Sequence, residues 1–554
     1  MTRAGQEAYV EAVAAQQRAS DPDVSAFVDA NAGAGKTAVL TARVARLLLA
    51  GAAPAKVLCI TYTRAAAAEM AARLLKLLGE WALADDRRLS ESLNELEGAP
   101  GKARSAGELA RARGLFARAL ETPGGLKIQT IHSFCETVLR RFPLETGAGP
   151  GFSVLDETES SALARAALRA VSAMAVEDPA VGDSLDRLMR LQEPDKIALL
   201  LIGQLLSRQK MDDALAHAGG WSALKNRCPD RFDVAAADTP DSIRAAALAA
   251  IGDAAVARLQ AAFRAGAKVC QGYASNELAE FLTPNVSTDR FALLVRVFLK
   301  ADGQPRNKFP DAGVKAAHPW AEQSCRDLSA RLQAAAERAH AAGNCADTIA
   351  LLTLLEEASG GYARLKQARA GLDYDDLISK TRALFRSGRN AWVQYKLDQG
   401  VDHILLDEGQ DTSPAQWDVI EGPLQEFIAG EGARAGPRTF FAVGDKKQSI
   451  YSFQGADAAL FDEKMQDLGK TLGASQRFTN EPLRLSFRST APVLSFVDAL
   501  FNPEEAREGV TIGGPLRHEV RRVGQAGSVE LWPLTPKADK EKVRAWDAPL
   551  DMIS

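Results

Sequence analysis

A short apolar run, Ser25-Ala26-Phe27-Val28-Asp29-Ala30, breaks into a glycine-bearing turn and then into an amphipathic pattern over residues 37–49. A strand that leaves through a helix returns parallel to itself, so this pattern restricts the chain to a parallel sheet with helices on its faces. The pattern recurs. Val57-Leu58-Cys59-Ile60-Thr61 precedes an alanine-rich helix over 64–78, and Leu126-Lys127-Ile128-Gln129-Thr130 opens a third strand–helix unit. Strand signals resume at 403–407 and 438–444. The expected fold class is α/β: a doubly wound parallel sheet around a phosphate-binding loop.

Between these pieces the texture changes. Segments 161–176, 243–265 and 328–342 are rich in alanine and arginine with helical spacing, so residues 156–370 read as a mainly helical insertion. The first sheet domain is then discontinuous, over 1–155 and 371–480. Residues 85–123 are polar with little periodicity. A new unit opens near Pro482-Leu483-Arg484-Leu485, fills 481–554, and takes a further strand from 527–534. A chain of 554 residues is too long for one core and suits about three to five units. The net charge of −4 gives no global basic field, so a polyanion would have to be met by a local groove. Cysteines 59, 135, 228, 270, 325 and 345 are scattered without metal-ligand spacing, and reduced thiols are the expected state. The N-terminus carries no apolar leader and the apolar runs are too short to cross a bilayer, which suggests a cytoplasmic protein.

The turn after the first strand reads Ala30-Asn31-Ala32-Gly33-Ala34-Gly35-Lys36-Thr37. Gly33 and Gly35 allow backbone N–H groups of Ala32 to Thr37 to approach phosphate oxygens. Lys36 has the reach for β- and γ-phosphates, and Thr37 offers a hydroxyl to Mg²⁺. A plain glycine turn is the alternative. Far downstream, Ile404-Leu405-Leu406-Asp407-Glu408-Gly409-Gln410-Asp411 reads as a buried strand delivering two carboxylates to a sheet rim. Asp407 suits Mg²⁺ and Glu408 suits an attacking water. The pair Asp375-Asp376 begins a helix and is better explained by capping.

In Val443-Gly444-Asp445-Lys446-Lys447-Gln448-Ser449-Ile450-Tyr451-Ser452-Phe453, Gln448 fits a γ-phosphate sensor. Tyr451 and Phe453 stand two apart, facing the same way if extended, where they would stack on bases or pack in a core. Thr61-Tyr62-Thr63 and Thr130-Ile131-His132-Ser133 place hydroxyls between a strand and a helix, as a phosphodiester site or as ordinary N-caps. Arg488, in Leu485-Ser486-Phe487-Arg488-Ser489, is a candidate arginine finger or a surface arginine.

Taken together and in this order, these blocks resemble the superfamily 1 DNA helicases of the UvrD/Rep/RecB type, and among them the AddA-type helicase–nuclease subunits of double-strand-break repair. The resemblance covers residues 17–488, with a further likeness at 527–550. It implies two RecA-like domains, ATP and Mg²⁺ as cofactors, 3′-to-5′ tracking on single-stranded DNA within double-stranded substrates, and an AddB-type partner subunit. It also implies roles: Gln17 reading adenine, Phe487 stacking on it, Arg488 at the γ-phosphate, Gln448 coupling ATP to DNA. Thr61, Tyr62, Thr63, His132, Tyr451 and Phe453 would line the strand. Gly409 stands where alanine is usual, Lys446 where Glu or Pro is, Ser486 where Asn is common, and Gln454 where arginine is frequent. The sequence stops at Ser554 before the later helicase motifs and nuclease expected of such proteins, so weak turnover is expected of it, or binding of ATP and DNA with negligible turnover.

Overall fold

The computed structural model describes residues 3–123, 125–284, 289–386, 400–429, 438–452, 455–475, 478–508, 510 and 515–537. The strands are β1 (Ser25–Ala30), β2 (Val57–Thr61), β3 (Lys127–Thr130), β4 (Ser153–Val154), β5 (Gly371–Leu372), β6 (His403–Leu406), β7 (Thr439–Gly444), β8 (Phe478–Leu483), β9 (Leu485–Thr490) and β10 (Glu519–Arg522). Six of them form one sheet in the order β3-β2-β6-β7-β1-β8, and every pairing is parallel. β2, β6 and β7 are buried along their whole length, which explains their unbroken apolar runs. The edge strands β3 and β8 are only partly buried and carry Lys127, Gln129, Thr479 and Glu481.

The chain divides into two compact units, Met1–Gly147 with Lys380–Ser554, and Ala148–Ser379. The second unit corresponds to the helical insertion. It is organised on a 49-residue helix, Trp320–Ala368, whose buried face contributes to two apolar clusters, one with Leu163, Val171 and Leu201, the other with Phe263, Phe281 and Phe298. The segment 243–265, read as helical, lies in two helices, Pro240–Ile251 and Asp253–Phe263, separated at Gly252 with φ +74°. Among the described residues no single helix is long and apolar enough to cross a membrane.

Several elements depart from expectation. Residues 85–123 hold two helices, Asp86–Glu97 and Ala106–Glu121, capped by Asp85 and by a Ser105–Glu108 capping box. Their sparse apolar positions, Leu89, Leu93, Leu109 and Leu115, are buried in the core of the first unit, so tertiary packing completes a weak local signal. The boundary expected at residue 481 falls inside β8, whose Leu483 still pairs with Ala30. Residues 485–522 cluster with the first unit and form a two-stranded parallel sheet, β9 with β10. The strand expected over 527–534 does not form: no neighbouring strand pairs with this segment, and Leu531, Trp532 and Leu534 stand exposed.

Capping explains Asp376 but not Asp375, and the cap itself is Asp373. Asp373 Oδ1 accepts the Asp376 N–H at 2.8 Å, and Asp376 Oδ2 accepts the Asp373 N–H at 3.2 Å. Asp375 instead accepts the Arg208 backbone N–H at 2.7 Å. Arg208 binds Asp373 through both guanidinium arms, and Lys366 and the Tyr362 hydroxyl donate to the same carboxylate at 2.8 Å.

Candidate nucleotide and DNA site

The expected chemistry gathers at the carboxyl ends of the parallel strands, where open α/β sheets bind ligands. After β1 come Gly33 and Gly35 with φ +75° and +89°, then the helix Lys36–Leu49, which begins at Gly35 without a side-chain cap. Its first N–H groups are left for an anion, and the helix dipole favours one there. β6 ends at Asp407 and Glu408, with β7 lying between β6 and β1. Lys36 Nζ meets Glu408 Oε2 at 2.7 Å, joining the two distant blocks.

Asp407 is 8% exposed, and its Oδ1 accepts the Glu408 N–H at 3.1 Å. Burial raises its pKa to about 6, with the Glu408 charge adding and Lys36 opposing. A buried carboxylate held this high gains from a cation. Thr37, in the first turn of the facing helix, adds a hydroxyl oxygen of the kind magnesium prefers. The donor set and the uncapped glycine cradle fit a magnesium nucleotide. No cluster of three or more His, Cys, Asp or Glu side chains that could hold a metal occurs among the described residues.

Glu408 has φ 52° and ψ 46°, a left-handed conformation that costs a non-glycine residue of order 1–3 kcal/mol. It opens a 3₁₀ turn, Gly409–Asp411. The glycine at 409 has a packing reason: a Cβ there would lie 2.5 Å from Phe461 Cε2. After β7, the Asp445 side chain accepts the Gln448 amide at 2.6 Å, and Lys447 Nζ reaches Asp445 at 2.9 Å. Lys446 pairs with Asp462.

β9 packs directly on the phosphate loop. Phe487 N–H donates to the Gly33 carbonyl at 2.9 Å, and a Cβ on Gly33 would stand 2.7 Å from Arg488 Cβ. Arg488 itself is exposed. Phe487 is half-buried, edge-on to Tyr9 at 6.5 Å, and the Arg521 guanidinium lies over Tyr9 at 4.4 Å. Gln17 requires a correction. Its side chain packs over Gly98, while Gln16 Nε2 donates to the Ala34 carbonyl at 3.1 Å and faces Gly35. Both lie on the helix Arg3–Ala19, where one residue turns a side chain by about 100°. Only the three-dimensional phase of that helix separates two adjacent glutamines.

At the ends of β2 and β3, Thr63 and Thr130 are the N-caps of the helices Arg64–Leu83 and Ile131–Arg141. Thr61 is buried, and its hydroxyl donates to the Thr63 carbonyl at 3.0 Å, so it shapes the turn. Tyr62 and Tyr451 stack at 4.5 Å between ring centroids, bringing together loops after β2 and β7. Burial raises the Tyr62 pKa to about 12, with Tyr451 and Asp411 contributing. His132 is held down to about 4 by burial and then by Arg64, so it is neutral near pH 7. Phe453 and Gln454 lie outside the described residues.

The UvrD/REP helicase N-terminal domain family matches residues 12–469. The chain belongs to this family. As a UvrD/REP-family chain it is also similar to curated proteins whose name makes them the A-type component of an ATP-dependent helicase/nuclease. That of Desulforudis audaxviator is 29% identical over 522 residues, covering 86% of this chain and 38% of the relative. That of Pelotomaculum thermopropionicum is 27% identical over 515 residues, covering 86% and 37%. The Lactobacillus gasseri protein is 26% identical over 544 residues, covering 88% and 39%. This UvrD/REP-family chain therefore spans less than two fifths of the length of these relatives.

Proposed function

We propose that the chain is the nucleotide-binding part of an ATP-dependent DNA helicase or translocase of double-strand-break repair and recombination, tracking single-stranded DNA 3′ to 5′ together with an AddB-type partner. The carrying observation is the 2.7 Å Lys36–Glu408 contact, which joins a glycine cradle to a carboxylate pair at one end of a parallel sheet. The relatives' name, which gives them helicase and nuclease activity and makes them one component of a complex, supports both the activity and the partner.

On this reading the loop N–H groups and Lys36 bind the ATP phosphates, and Lys36 exchanges its Glu408 partner for phosphate oxygen. Glu408, released, orients and deprotonates the attacking water. Magnesium, held by Thr37 and Asp407, would supply charge neutralisation at the phosphates. Gln16 replaces Gln17 as the base-reading side chain, beside Phe487 as the stacking ring. Arg488 serves the γ-phosphate and Gln448 senses it. Thr63, Tyr62, His132 and Tyr451 line the DNA strand, with Thr61 shaping their turn. Titration of Mg-ATP into the wild-type chain and into Lys36→Ala tests the nucleotide half. We expect Lys36→Ala to weaken binding at least about tenfold, as loss of a charge-assisted phosphate contact does. Equal affinity in the two proteins would remove the reading.

A further inference from the structure

Gln410 is 1% exposed, yet its amide makes three polar contacts that join both halves of the candidate site. Nε2 donates to Glu408 Oε2 at 2.8 Å and to Asp411 Oδ2 at 3.0 Å. Oε1 accepts the Asp445 backbone N–H at 2.9 Å. Both amide protons are used by carboxylates and the carbonyl faces a donor, so only one orientation of the amide is satisfied. Turning it over would set its oxygen against two carboxylates and its NH₂ against an N–H. Gly444 leaves room for this: a Cβ there would stand 2.8 Å from Gln410 Oε1.

From Asp445 the path continues to the Gln448 amide at 2.6 Å, and the same loop runs on to Tyr451, stacked on Tyr62. At its other end Glu408 has two side-chain donors, Lys36 and Gln410, on the same oxygen. When Lys36 turns to a phosphate, Gln410 is the donor that stays.

We propose that Gln410 is a positioning residue that fixes the water-orienting Glu408 to the Asp445–Gln448 loop, so that carboxylate orientation and the placement of Tyr451 at the DNA face change together. This rests on the function proposed above. It requires no exchange of the Gln410 hydrogen bonds, because a buried amide with every donor and acceptor engaged moves with its partners and carries displacement from one to the other.

The test uses the full chain with Gln410→Met, which removes both ends of the link at similar volume, and Gln410→Glu, which when protonated keeps the acceptor and one of the two donors. Mg-ATP affinity, ATPase rate with and without single-stranded DNA, and DNA affinity with and without a non-hydrolysable ATP analogue are measured, with thermal melting as a check of folding. We expect Gln410→Met to bind Mg-ATP and DNA within about twofold of wild type, to lose about tenfold or more in kcat, and to lose the nucleotide-dependent change in DNA affinity. Gln410→Glu should recover turnover as pH is lowered and its carboxyl protonates, and lose it as pH rises. If Gln410→Met fails to fold, the pH profile of Gln410→Glu decides alone, and a profile parallel to wild type overturns the proposal. Wild-type kcat and coupling in Gln410→Met overturn it too, leaving the function intact. A wild-type chain whose turnover and DNA affinity do not respond to one another overturns the function and this inference together.

Discussion

At Asp407 the same burial that readies a carboxylate for a cation costs the fold. Its pKa in the fold is about 6, against an ordinary 3.8. The unfolded chain releases this proton first as pH rises. The stability contribution is therefore fully present below 3.8 and is lost as pH climbs through 6. Asp407→Asn never ionises, so it should be more stable than wild type above pH 6, by roughly 1–3 kcal/mol, with the difference closing toward pH 4. Thermal melting of the two proteins across that range measures it, and the same variant should lose magnesium-dependent turnover. At Gly409, an added methyl must displace the Phe461 ring. Gly409→Ala should cost about 1–3 kcal/mol as overpacking, and the double variant with Phe461→Leu should regain most of it; equal losses in the two backgrounds would mean the ring is not the obstacle.

At the scale of elements, the charged network of the insertion can be separated from nucleotide chemistry. Burial tends to raise the Asp373 pKa, but Arg208 and Lys366 outweigh it and hold the carboxyl well below the ordinary range. Arg208→Ala leaves Asp373 and Asp376 with Lys366 as their remaining cation and should cost roughly 3–5 kcal/mol within the insertion unit. Hydrogen exchange at the start of the helix Tyr374–Arg386 should quicken while Mg-ATP affinity holds; unchanged exchange would show the network to be dispensable. The sheet strands were legible because burial on both faces writes continuous apolar runs. Asp407 and Glu408 were legible because such a run ends in them. The helices Asp86–Glu97 and Ala106–Glu121 were not, since their apolar positions are few and gain meaning only against the core. The choice between Gln16 and Gln17 was hidden for a related reason, as helix phase depends on what the helix packs against. Gln410 carried no signal either, because a lone glutamine shows its value only through the three groups that surround it.

At the scale of the whole molecule, the long separation between the phosphate loop and the carboxylates is spanned by a unit with its own apolar clusters, Ala148–Ser379. The sheet closes around that detour because β6 pairs with β2 on one side and β7 on the other, returning Glu408 to Lys36. The loops that carry Tyr62 and Tyr451, and the first turn of the helix that carries His132, follow the same ends of the strands as the nucleotide groups. This common end is the physical basis for expecting one ligand to influence the other, and the rate of phosphate release from Mg-ATP, with and without single-stranded DNA, tests it most directly. The account predicts a rate that rises when DNA is added and that vanishes in Lys36→Ala under both conditions. A rate indifferent to DNA, or one that survives in Lys36→Ala, would contradict it.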